Sequence, residues 1–327
     1  MNKNGRLTKI LFIAMYVVVV VVFGVLNKNY VTPLNLVTIL RNVSVTAIAA
    51  LGVTYVTTVG HSDMSFFLTA NFAPMIMAYL ASKGYPPAVS IGMAFVGAFG
   101  FGLLTAVAVA VFKLPDIIIT IAIGTIAFGC GYLFSDGQKI YNIESTGFLN
   151  NGHILGLPTP VFFMILLYVI SFIFLEKTKY GTFFHSVGSN PVASRFSGIN
   201  VTAVVIVAYV LCVVLACFGG MINTSAKGMG DVKQALTTLT PCFTAVFVGR
   251  AIFKRPNVIG TFLGALLLQM MSNGIILIGK PYYVGDLITS ILLIVALLIS
   301  VLNDHEDKGV KEKPAVKESK GEEADAA

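Results

Sequence analysis

The chain has 327 residues, 56% of them hydrophobic and 11% charged, and carries a net charge of +7. At a mean hydropathy of +0.86, a water-soluble protein of this size would expose large apolar patches, so the composition excludes one and puts most of the chain in a bilayer. The basic excess then reports positive loops facing an anionic leaflet rather than a nucleic acid.

Apolar runs near 20 residues, the length that crosses about 30 Å of hydrocarbon, recur along the whole chain. The first, 10–26, follows Lys3, Arg6 and Lys9. It is long for a signal peptide and shows no small-x-small cleavage site before Asn27, so a retained first span is expected. Further spans are expected at 36–59, 64–82, 87–112, 115–135, 158–175, 201–223, 236–250, 258–279 and 284–302. Pro33, Pro86, Pro87, Pro115, Pro158, Pro160, Pro256 and Pro281 fall in or beside the connections, where a missing N–H costs least.

The fold class is therefore all-α: a polytopic membrane helical bundle of about ten transmembrane helices over 1–302. A Lys/Glu-rich tail without aromatics follows at 303–327, and its composition predicts cytoplasmic disorder. With the N-terminus inside, 15 of the 22 Lys and Arg residues fall on the cytoplasmic side. That bias predicts an N-in, C-in bundle in a bacterial inner membrane.

Two connections stand out. The outer one, 135–157, is polar and reads either as a plain link or as a docking surface for an extracytoplasmic partner. The inner one, 176–200, contains a local helix start and stop. Asn190 suits an N-cap and Pro191 the first helical position, while Gly198 suits a left-handed stop. Val192 and Phe196 then share a face, with Arg195 beside them. Local chemistry alone leaves two readings open, a handle for a cytoplasmic subunit or an interfacial tether.

Cys130, Cys212, Cys217 and Cys242 lie in apolar segments without metal-ligand spacing and read as packing residues. No metal or cofactor is expected. Gly274-x-x-x-x-Gly279-Lys280 imitates part of a P-loop. It ends an apolar run and is followed by Pro281, so no ATP site is expected.

Several stretches carry a family resemblance. Tyr180-Gly181, Val187 to Asn190, Ala193 and Ser197 to Val201 resemble the coupling-loop motif of ribose-type ABC importer permeases. That family handles sugars and nucleosides and is related to branched-chain amino acid permeases. Asn35 to Leu40, Ala50 to Thr54, Gly60 to Ser65, Gly260 to Leu268 and Ser272 to Gly274 are similar to further family motifs, in the family's order. Pro191-Val192 stands where the family has an acidic pair.

The resemblance implies a permease subunit that imports a small polar solute, most simply a monosaccharide. Its implied partners are cytoplasmic ABC ATPase subunits, an extracytoplasmic solute-binding protein and a second permease copy. It makes Asn190, Pro191, Val192, Arg195, Phe196 and Gly198 the ATPase coupling helix. Asp63 matches the family's aspartate between the second and third spans and is expected to clamp or gate the path. Phe66, Phe67, Asn71 and Asn273 are further candidates for the gate or pathway, by stacking or by hydrogen bonding to a hydroxylated solute. An ion-coupled secondary transporter is the competing reading, although that class displays buried acids or broken helices in paired repeats. No Ser/His, His/Glu or paired-carboxylate set points to an intramembrane enzyme.

Overall fold

In the computed structural model, residues 3–311 are described. Their architecture is a helical membrane bundle with a single two-stranded hairpin among them. α1 (Lys3–Leu26) and a 3-10 turn at Lys28–Val31 lead into α2 (Pro33–Thr58). α3 (Phe66–Ser82), α4 (Pro87–Ala110) and α5 (Asp116–Tyr132) follow with short connections. The 133–158 connection holds a 3-10 turn, the single-turn helix α6 (Phe148–Asn151) and the hairpin β1 (His153–Ile154) with β2 (Leu157–Pro158).

α7 (Thr159–Phe172) ends in a π-helical turn, Ile173–Lys177. Two short helices, α8 (Lys179–Ser189) and α9 (Pro191–Phe196), precede α10 (Val201–Lys227). α11 (Leu239–Phe253), α12 (Val258–Leu277) and α13 (Tyr282–Lys311) close the chain. Each of the ten apolar runs is thus a helix. Seven are long and apolar enough to cross a membrane, and Phe12–Leu26, Phe66–Ser82 and Asp116–Tyr132 are shorter apolar helices. The expected tail boundary at 303 falls inside α13, and residues 312–327 lie outside the described residues.

Two ends of the bundle organise everything that follows. End I gathers the connections 59–65, 111–115, 173–200 and 254–257. End II gathers 27–32, 83–86, 133–158, 228–238 and 278–281. Between them α10 is the central post, packed on α2, α3 and α4, while α11 packs on α12 and α13.

Small residues let these helices meet backbone to backbone, the usual substitute for hydrophobic driving force inside lipid. A Cβ on Gly52 of α2 would lie 2.6 Å from the Cys212 carbonyl oxygen of α10. Pro74 leaves the Ala70 carbonyl without its helical donor, and Gly220 of α10 packs on that same carbonyl. Gly249 and Ala245 of α11 face Gly260 and Gly264 of α12 with no room for a Cβ on any of the three glycines. The Gly97, Gly100, Gly102 cluster is less uniform. Gly97 meets Phe72 and Ile76 and Gly102 meets Val210, but Gly100 faces open space.

The connection between α10 and α11 does not stay at the surface. Gly230 pairs with Ile140 at end II. Five residues later the Ala235 N–H donates to Asn71 Oδ1 at 2.7 Å. Asn71 lies eleven residues from the end II terminus of α3, which at 1.5 Å per residue is about 16 Å inside. α11 therefore begins within the bundle. Gln234, also on the way down, donates to the Thr224 hydroxyl.

Candidate functional site

At end I the short helix α9 forms for local reasons. Asn190 Oδ1 accepts from the Val192 and Ala193 N–H groups at 3.1 and 3.0 Å, satisfying two of the donors a helix start leaves free. Pro191 occupies the first position, and Gly198 closes the segment at φ +81°. Ser194 turns inward, while Val192 is 64% and Phe196 89% exposed. A one-turn spacing puts these two apolar side chains on one outward face, with Arg195 also exposed.

α8 anchors that face to the bundle. Residues 179–189, expected within the 176–200 loop, form a helix because Thr178 caps its start. Phe184 and Val187 are buried, and Phe184 packs edge-on against Tyr55 of α2. Gly188 is pressed onto the Thr58 carbonyl at the end of α2, and Gly60, at φ +82°, packs back onto Gly188. On the other flank Arg255 donates to Glu176 at 2.9 Å, and His185 Nε2 lies 4.0 Å from the same carboxylate. Burial, with the Arg255 charge adding to it, holds the His185 imidazole below its usual range and so neutral.

Beside α8 lies the 59–65 connection with Asp63, 1% exposed. Asp63 Oδ1 accepts from both the backbone N–H and the hydroxyl of Ser65 at 2.6 Å, which fixes the start of α3. Oδ2 has no hydrogen-bond partner, and the weak thiol donor of Cys212 lies beside the carboxyl. Burial pushes the Asp63 carboxyl up, against the lowering effect of the Ser65 bonds.

Neighbouring residues lock this loop to two further helices. His61 Nδ1 and Asp116 Oδ2 of α5 are 2.6 Å apart. The Met64 N–H donates to Thr120 of α5 at 3.1 Å, and the Tyr209 hydroxyl of α10 donates to the Ser62 carbonyl at 3.2 Å. A Cβ on Gly124 would come within 2.9 Å of Ser65 Cα, so α5 itself approaches the loop closely. Asp63 thus sits in a knot tying α2, α3, α5 and α10.

The remaining candidates are dispersed. Phe66 is fully buried and stacks edge-on with Phe67 and with Phe243 of α11. Asn71 donates to Phe67 O and accepts from Ala235, so its amide is committed to holding the descending connection. Asn273 exchanges two hydrogen bonds with Asn35, at 2.9 and 3.1 Å, toward end II. Both amides are occupied within the chain. The Gly274 to Lys280 stretch is the last turn of α12 and its stop, with no strand before it.

The sequence reading missed Asp116, Thr120 and Tyr209, which hold the loop of Asp63. His61-x-Asp63 was a visible hint, but its partner Asp116 lies 55 residues away. No spacing rule connects residues on separate helices.

Residues 35–297 match the family described as "Branched-chain amino acid transport system / permease component". The chain is 27% identical over 293 residues to a ribose import permease protein of Bacillus subtilis, covering 88% of this chain and 91% of that one. It is 27% identical over 294 residues to the ribose import permease protein of Escherichia coli, with the same coverage. With the galactofuranose transporter permease protein of Escherichia coli it shares 26% over 269 residues, 80% of this chain and 78% of that one. No solved structure matches. The chain belongs to this transport-permease family and is a multi-pass protein of the cell membrane.

Proposed function

We propose that this permease is the transmembrane subunit of an ATP-driven ABC importer for a monosaccharide, with all ten long helices crossing the bilayer and end I in the cytoplasm. The observation that carries the reading is the α9 face: a capped helix that sends an apolar pair into solvent at the end where the basic residues cluster. Burying Val192 and Phe196 against an ATPase would contribute roughly 1.5–3 kcal/mol each. The names of the relatives support a sugar as solute.

The mechanism follows from what α9 is joined to. An ATPase dimer closing on nucleotide displaces α9. α9 continues directly into α8, and α8 rests through Gly188 on the end of α2. The same contact touches Gly60, the start of the loop whose Asp63, His61 and Ser62 bind α3, α5 and α10. Motion imposed at α9 therefore arrives at a junction of four spans, and Asp63 acts there as the latch rather than as a solute ligand. Two copies would enclose the path between them, and a solute-binding protein would deliver the sugar at end II. In this reading the energy enters from separate ATPase subunits.

The test is reconstitution with the cognate ATPase and binding protein in proteoliposomes. Uptake should require internal ATP and persist when proton and sodium gradients are collapsed. Uptake driven by an ion gradient without ATP would replace this reading with a secondary transporter.

A further inference from the structure

One polar feature plays no part in the coupling machinery. Thr237 and Thr240, around the start of α11, face Asp286, Thr289 and Ser290 on the first turns of α13 across a pocket of about 200 Å³. Asp286 lies inside an apolar segment, Tyr283–Ser300, of mean hydropathy 2.2. Asp286, Ser290 and Thr237 are nevertheless exposed on the surface of the chain. Among the described residues no cation pairs with Asp286.

A carboxylate and two hydroxyls are costly against hydrocarbon, so this face meets water or another protein. The Ser290 hydroxyl donates to the Asp286 carbonyl at 2.9 Å, which leaves its oxygen free to accept. The Asp286 carboxylate can accept two further donors, and the threonines can do both. That inventory suits a ring with adjacent hydroxyl groups. An anionic solute would meet the carboxylate without a compensating cation, and the positive end of the α11 dipole offsets part of the carboxylate's pull on a cationic one.

Position and size complete the case. The pocket lies beside the point where α11 begins inside the bundle, on the end II side of the Asp63 knot. Its volume is below the about 300–1,000 Å³ of ordinary small-molecule sites, and it opens on the chain surface.

We propose that this pocket is one half of a binding site for a neutral polyhydroxylated solute in the translocation path, and that the same pocket of a second copy supplies the other half. The inference rests on the importer reading above and assigns it a substrate-contacting set.

Two measurements test it on the reconstituted transporter and in native membrane vesicles of both orientations. Asp286→Asn and Thr240→Val should each lower uptake of labelled D-ribose at limiting concentration by roughly tenfold. ATP hydrolysis stimulated by the binding protein should remain, which a coupling defect or a misfolded subunit would not allow. Ser290→Cys, in a Cys130→Ser background, should react with a charged, membrane-impermeant thiol reagent. Unchanged uptake by both variants, or a Cys at 290 inert to the reagent in both vesicle orientations, overturns the pocket. Preference of the wild type for a diamine such as putrescine over D-ribose overturns the neutral class. Absence of ATP-dependent uptake by the wild type would sink the importer reading instead, and the thiol reaction would then decide alone whether the pocket is a water-facing site.

Discussion

The 59–65 loop and the α9 helix occupy the same end of the bundle and are built in opposite senses. In the loop, polar groups are turned inward and spent on neighbouring helices: Asp63 on Ser65, His61 on Asp116, and the Ser62 carbonyl on Tyr209. In α9 the polar atoms close only the helix itself, and the apolar side chains point out. The first arrangement stores tertiary order and the second leaves an apolar face in solvent, the unfinished surface that the importer reading gives to an ATPase. Their junction, Gly188 on Thr58 and Gly60, is backbone against backbone. A push on the unfinished surface therefore reaches the ordered one without passing through pliable side chains.

Gly188→Ala should have the largest effect, because its Cβ would be driven into the Thr58 carbonyl at that junction. We expect a loss of up to about 3 kcal/mol, the upper range for overpacking, read as a lowered Tm of the purified protein, together with lost uptake. A variant as stable and active as the wild type would show that the two regions are not rigidly joined. Phe196→Asp should separate them. Uptake and co-purification of the ATPase should fail while Tm stays within about 2 °C, since an 89% exposed side chain contributes little to the fold. Retained ATPase binding would remove α9 from the interface.

The smallest effect is expected from Asp63→Asn, which keeps an acceptor for Ser65 and removes the titratable carboxyl. Uptake should fall roughly several-fold with insertion intact. The pH dependence gives a second reading. The folded carboxyl is held above its usual range by burial, so the folded state retains its proton when the unfolded chain, with a pKa of about 3.9, has lost it. Stability contributed by Asp63 is therefore complete at low pH and declines as pH rises through that interval. The Asn variant should lose this slope in a Tm-versus-pH series. Identical slopes would mean that Asp63 is hydrated in the folded protein.

How much of this was legible in the sequence depended on whether the cause was local. The ten helices were legible because apolar runs and proline breaks act within one segment, and α9 because a cap and a stop lie eight residues apart. The polar knot was not, since Asp63 and His61 are read by residues on α5 and α10 that share no period with them. α8 was missed because its glycines, Gly181 and Gly188, look like loop residues. In the structure they are contact points, Gly181 on the Leu175 carbonyl and Gly188 on Thr58. Hydropathy also measures how greasy a segment is, not how deep it starts, so nothing in 228–238 announced a connection descending to Asn71.

The glycine seam between α11 and α12 has a mechanical consequence. Where Gly249 and Ala245 meet Gly260 and Gly264 there are almost no rotamers to rearrange, so the contact is set by the fit of one backbone on the other. A pair joined this closely would travel as one lever. Its fulcrum would then be the descending 228–238 segment, the chain link between that lever and the central post α10. A transport cycle in this permease would be paid out there, in the bonds of Gln234 and Ala235, while the seam arrives at each state unchanged.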